Sequence, residues 1–250
     1  MMKVLSFLFA AVACSIPAFA QMEPGAGPGA GSDFDAMEKL FGANPAFSAT
    51  MSRSLGPTSA KIKLIFDHGN SSGEMNMADV QDPNLPPQAV DQMKSIGLDD
   101  VVTIIPADKL NLYVVYPHIR SYVALPIPDS GATNNAFSMQ TTKLGQETVD
   151  GHPCVKNDVL MTNSLVSTDF TVWNATDLNN FPIKIATSEQ GMPETITFQD
   201  ISFDKPPADA FRPPAHFTRY GNIQDLMQAA EMNHPSGMPG MPSPSVSPGP

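Results

Sequence analysis

From residue 60 to residue 203 apolar side chains recur at every second position, and turn-forming residues interrupt them about every eight to twelve positions. Strand side chains alternate between the two faces of a sheet, so this pattern describes strands with one face buried and one wet. Ile62, Leu64 and Phe66 alternate with Lys61, Lys63 and Asp67. His68 to Gly73 then reads as a hairpin loop, and Met75 and Met77 resume the alternation on one face. Val101–Ile105, Leu110–Tyr116 and Tyr122–Leu125 follow, separated by turns too short for a parallel crossover, so the three are antiparallel neighbours. After a polar loop (129–140), further strands are expected near Thr142–Val149, Val155–Met161, Val166–Trp173, Ile183–Thr187 and Thr195–Phe203. In the last of these the apolar phase slips between Phe198 and Ile201, and a β-bulge there would restore one face and bend the strand.

Helical spacing occurs in two places. Asp33–Phe41 sets Phe34, Met37, Leu40 and Phe41 on one side of a short helix. Pro86–Gly97 opens with proline, sets Val90, Met93 and Ile96 on one face and ends in glycine.

The two ends of the chain differ from its middle. Met1-Met2-Lys3, the apolar run Val4–Ile16 and the small-x-small site Ala18-Phe19-Ala20 read as a signal peptide over 1–20, cleaved after Ala20. Lipoprotein processing at Cys14 is the minor alternative, lacking the aliphatic residue usual three positions upstream. Export to the periplasm or outside the cell is expected, with no transmembrane span. Residues 21–32 are a Gly/Pro/Ala-rich linker, and residues 233–250 are a Pro/Gly/Met-rich tail expected to be disordered. Residues 33–232 are left as one folding unit. The 25 acidic against 14 basic residues, net −11, exclude a nucleic-acid-backbone binder.

Several residues resemble chemical sites. Gly69-Asn70-Ser71-Ser72-Gly73 satisfies the G-x-S-x-G pattern, but a nucleophile elbow needs a helix after the serine, and here a strand follows. His68, His118, His152, His216 and His234 have no second His or Cys at metal-ligand spacing, and Asp99-Asp100 reads as a solvated pair at a strand entry. No metal, cofactor or enzymatic activity is expected. Cys154, alone in the exported chain, reads as a small buried hydrophobe. Met227, Met232, Met238 and Met241 near His234 leave open a Cu(I)-binding tail, a weaker reading than a tail that merely tolerates methionine.

Three stretches carry a resemblance: the hairpin Leu110 to Pro126; Phe170-Thr-Val-Trp173 with its polar turn to Phe181-Pro182-Ile-Lys; and Ile196 to Phe203 followed by Asp209-Ala-Phe-Arg-Pro-Pro-Ala-His-Phe217. Together they resemble the periplasmic lipoprotein-carrier superfamily of the LolA and LolB type, most closely a branch of exported bacterial proteins grouped as a domain of unknown function. The match spans roughly Phe47 to Tyr220. It implies a mainly β fold, a strongly curved antiparallel sheet forming an unclosed barrel, with a few helices covering the concave face over an apolar cavity. Trp173 and Pro182 match a structural turn of that family. The function expected on this basis is non-enzymatic binding of a lipid, acyl chain or other apolar molecule. The cavity would be lined by the one-face sets Leu64 and Phe66, Met75 and Met77, Leu112 and Val114, Phe170 and Val172, and Ile183 and Ile185. The same residues packed without a void would make a closed structural module, with the tail as the part that docks on a protein partner.

Overall fold

The computed structural model describes residues 38–108, 110–127, 137–163, 167–189 and 191–233. The signal peptide, the linker, Phe34, Met37 and the Pro/Met-rich tail from His234 onward lie outside them. Among the described residues no helix is long and apolar enough to cross a membrane.

Among the described residues, one sheet of twelve strands organises the fold. The first meander runs β1 (Ala46–Leu55), β2 (Thr58–Asp67), β3 (Asn70–Asn76), β4 (Asp100–Ile105), β5 (Asn111–Tyr116) and β6 (Ser121–Pro126). The second runs β7 (Ser138–Val149), β8 (His152–Thr162), β9 (Ser167–Ala175), β10 (Phe181–Glu189) and β11 (Met192–Ser202), and a short β12 (Thr218–Tyr220) closes the series. Within each meander consecutive strands pair antiparallel, including β3 with β4 across the segment that carries the helix over 87–95. β1 joins the halves by pairing with both β2 and β11, and β12 lies parallel to β6. The sheet is strongly curved and does not close, because β12 and β7 stand at opposite ends of the strand order.

Local chemistry sets the turns and bends. The β2–β3 connection is only His68-Gly69, both at positive φ (48° and 83°), the geometry of a two-residue turn whose twist matches that of its strands. The six-residue loop expected over His68–Gly73 is therefore corrected: pairing starts at Asp67 with Asn70, and Ser71 and Ser72 are buried residues of β3. Asp150-Gly151, at φ 50° and 85°, turns β7 into β8 in the same way. The bulge anticipated in the closing strand is present. Ser48 pairs with Ser202 and Thr50 with Gln199, so β11 carries one extra residue there, and Asp200 takes φ 52°. Ile201 and Phe203 consequently pack on the same cluster as Ile196 and Phe198.

Helix α1 (Pro87–Ser95) bears out the expected Pro86–Gly97 helix. Gly97 ends it at φ 74°, with the Leu98 amide reaching back to the Met93 carbonyl at 2.8 Å. A β-carbon at Gly97 would meet Ile119 at 3.0 Å and His118 at 3.2 Å, so the position needs glycine for space as well as for φ. After β11 the chain lays the 3-10 turn Ala208–Phe211 on the outer face, where Phe211 packs with Ile104 and Val115. It then forms β12 and turns inward as α2 (Ile223–Asn233). The Asn222 side chain caps α2 by accepting from the Asp225 amide at 2.8 Å and donating to the Asp225 carboxylate at 2.9 Å.

Candidate functional site

The inner face of the sheet carries one apolar surface with two packed regions. Register defines it: Phe47 faces Phe66, Ala49 faces Leu64 and Met51 faces Ile62 on one side, while Met51 faces Phe198 on the other. The larger region spans β3 to β8 and holds Leu64, Phe66, Met75, Met77, Phe170, Val172, Ile183 and Ile185, all buried. Its centre is a group of rings. Phe41, just after the helical turn at 38–40, lies 4.7 Å from Phe47, 5.4 Å from Phe66 and 5.9 Å from both Phe181 and Phe198. The smaller region contains Val101, Val114, Tyr116 and Val123 of β4 to β6, covered by Ile96, Leu98, Leu226 and Ala230, with Leu112 half-buried at its margin. Met93 of α1 touches both. One correction concerns Met77, which is not a strand residue. β3 ends at Asn76, and Met77 opens a 3-10 turn while remaining buried beside Met75.

At the margin of the smaller region, between the turn after β5, strand β12 and the end of α2, is a pocket of about 310 Å³. Its walls include His118, Arg120, Ser121, Thr218, Tyr220 and Asn233. His118 is not the isolated turn residue its sequence context suggests. Nδ1 lies 3.1 Å from an Asp99 carboxylate oxygen and Nε2 lies 3.1 Å from one of Asp100. Asp99 is buried, which corrects the reading of this pair as solvated. A separation of 18 to 19 residues between His118 and the aspartates hides this contact from any motif search. It exists because Asp99-Asp100 enters β4 and His118 leaves β5, and these strands are paired.

Two charges lie inside the apolar face. Arg53 Nε and Glu194 Oε1 are 2.5 Å apart, with side chains only 8% and 1% exposed. Strands β1 and β11 bring them together across 141 residues. Tyr116 lies in the smaller region, and burial pushes its phenol up to about 12, since the ionised form would lose its hydration. Below pH 10 the folded and unfolded chains both keep that proton. Between pH 10 and about 12 the unfolded chain releases it while the folded one does not, so stability falls as pH rises, by up to about 2–3 kcal/mol. Urea unfolding at pH 8 and pH 11 is expected to show a larger loss for the native chain than for Tyr116→Phe. Equal losses would remove this account.

The remaining residues singled out in sequence have structural surroundings. Trp173 points to the outer face, where its indole N–H donates to Glu147, and the ammonium groups of Lys156 and Lys184 lie 4.9 and 4.6 Å from its ring centroid. Pro182 pairs with Asn174 one step further along, beside the bulge that precedes Lys184. Cys154 is buried, its thiol donating to the His152 carbonyl at 3.4 Å, and burial pushes its pKa up, away from thiolate reactivity. Ser71 has a strand around it and no helix after it. Among the described residues no three His, Cys, Asp or Glu side chains could hold a metal ion. Met227 packs on the smaller region and Met232 is exposed, whereas Met238 and Met241 lie outside the described residues.

No family model and no curated protein matches this chain. Solved structures similar to it include the Mycobacterium tuberculosis lipoprotein LppX, 12% identical, covering 70% of this chain and 98% of its own, at a TM-score of 0.40. A LolA superfamily protein from Nitrosomonas europaea is 10% identical, with 73% and 97% coverage and a TM-score of 0.32. A DUF1329 family protein from Desulfovibrio piger is 14% identical, with 73% and 95% coverage and a TM-score of 0.25. Likeness at these values assigns no ligand or activity to this chain.

Proposed function

We propose that this chain is a non-enzymatic binding protein, acting in the periplasm or outside the cell, that holds an acyl chain or other apolar ligand between the inner face of its open sheet and helices α1 and α2. The observation that carries the reading is how lightly those helices are held. α1 has no buried residue of its own, and α2 buries only Leu226 and Ala230. Beneath them lie Val101, Val114 and Val123, a contiguous apolar strand surface. A helix with so few buried contacts can swing away at a small fraction of the cost of unfolding the sheet. Leu112 and Val114 would then meet ligand first. Leu64, Phe66, Met75, Met77, Phe170, Val172, Ile183 and Ile185 would line a deeper compartment reached when the Phe41 segment and α1 also move. An apolar molecule entering there would replace protein side chains with its own methylenes, so the exchange is favourable only for a ligand that is itself poorly soluble in water.

Native mass spectrometry of the exported protein, purified without detergent, tests the reading. A stoichiometric apolar adduct, or uptake of a fluorescent fatty acid by stripped protein, is the expected result. A clean apo mass with no uptake after stripping would sink it and leave a closed β module.

A further inference from the structure

Resting on that reading, we infer that the pocket beside Arg120 recognises the anionic head of a single-chain amphiphile whose tail runs under α2. Three observations converge on it. The first is continuity: Ser121 and Ala230 line the pocket and are buried, Ala230 also belongs to the apolar region under α2, and Val123 of that region lies two residues along β6 from Ser121. A molecule seated in the pocket therefore borders the apolar residues packed under α2. The second is the chemistry of the walls. Arg120 supplies a permanent cation with several N–H donors, and Thr218, Tyr220 and Asn233 add hydroxyl and amide groups. Among the described residues Arg120 makes no ion pair, whereas the nearby His118 is taken up by Asp99 and Asp100.

The third is how Arg120 is held. Its backbone takes φ 48°, a conformation that costs a non-glycine residue energy and persists only where its surroundings enforce it. Its amide donates to the Pro117 carbonyl at 3.1 Å, and its own carbonyl accepts from the Thr218 amide at 2.9 Å. The long side chain is thus rooted in a backbone fixed on both sides, at the seam where β12 joins the sheet. A pocket of about 310 Å³ is at the small end for ligand sites, enough for a head group and the first carbons. The remainder of the chain needs the space opened by α2. The negative charge of the protein, the His118 aspartates and the carbonyl end of α2 all disfavour anions at a distance, so recognition rests on direct hydrogen bonds to the head.

Three twelve-carbon probes separate head from tail: dodecanoate, dodecyl phosphate and dodecanol, titrated against the full exported chain and its Arg120→Gln and Arg120→Lys variants. The expected result is that Arg120→Gln weakens one or both anionic probes about tenfold and leaves dodecanol unchanged, with Arg120→Lys recovering part of the loss. A loss confined to dodecanoate assigns a carboxylate head, and one confined to dodecyl phosphate assigns a phosphate. If Arg120→Gln affects all three probes alike, or none, the inference is overturned while the binding function stands. If the native chain takes up none of the three, both fail.

Discussion

Replacing Arg53 by Met is expected to lower the stability of the native chain by about 3–5 kcal/mol, because it strands the Glu194 carboxylate inside an apolar face. The expected loss is set by what remains and not by what the pair contributes. Bringing both charges out of water already consumes most of the attraction between them, so an intact buried pair adds little net stability. A carboxylate left without its guanidinium retains the whole desolvation cost. The double replacement Arg53→Met with Glu194→Leu should therefore recover most of the loss, since Ile196, opposite Arg53, and Ala60 on the next strand offer apolar neighbours. Urea unfolding of the two single variants and the double variant measures this directly. Single variants within 1 kcal/mol of the native chain, or a double variant as weak as the worse single, would contradict it.

The second large effect is expected at Phe181. Its ring lies 4.8 Å from Phe47, 5.4 Å from Phe198, 5.8 Å from Phe203 and 5.9 Å from Phe41, and none of it is exposed. These rings come from β1, β10, β11 with its outgoing chain, and the segment before β1, so Phe181 is where four pieces of chain meet. Truncation to Ala removes apolar area and leaves a void that rigid neighbouring strands cannot close, which costs about 3–5 kcal/mol. Phe181→Leu, which refills part of the volume, should lose less than half as much. Thermal or urea unfolding distinguishes the cases. Comparable losses for Ala and Leu would mean that ring geometry, and not filled volume, holds this junction.

How far the sequence reveals this molecule depends on whether a feature is local. The bulge in β11 is legible because the slip between Phe198 and Ile201 has no other remedy within an antiparallel strand. Helix α1 is legible from its proline, its spacing and Gly97. β1 escapes the alternation rule although it is perfectly periodic: its inward residues are Phe47, Ala49, Met51 and Arg53, and a small residue and a charge dilute the apolar signal. Arg53 can sit inward only because Glu194 waits on a strand far along the chain. β12 escapes because three residues carry no period, and α2 because its buried face consists of Leu226 and Ala230 alone. The same logic applies to the candidate site. Strand phase identifies the buried faces, including Phe170 with Val172 and Ile183 with Ile185. The pocket by Arg120, by contrast, is assembled from a turn, a strand and a helix end that meet only in three dimensions.

The place of β1 has a consequence for how the chain reaches this state. A ribosome or an export channel delivers β1 to β6 first, and each of these strands finds its neighbour within a few tens of residues. β1 then waits with one side unsatisfied until β11 arrives, about 140 residues later, since Arg53 and Glu194 are 141 positions apart. Closing so long a loop is entropically costly before any contact rewards it, so the joining of the halves is expected to be the slow step of folding. During that interval the strand that ends at the centre of the sheet is an open edge, with Phe47 and Met51 paired to β2 on one side and unpaired on the side β11 will take. Until then the strand that will join the two halves is the one exposed to aggregation.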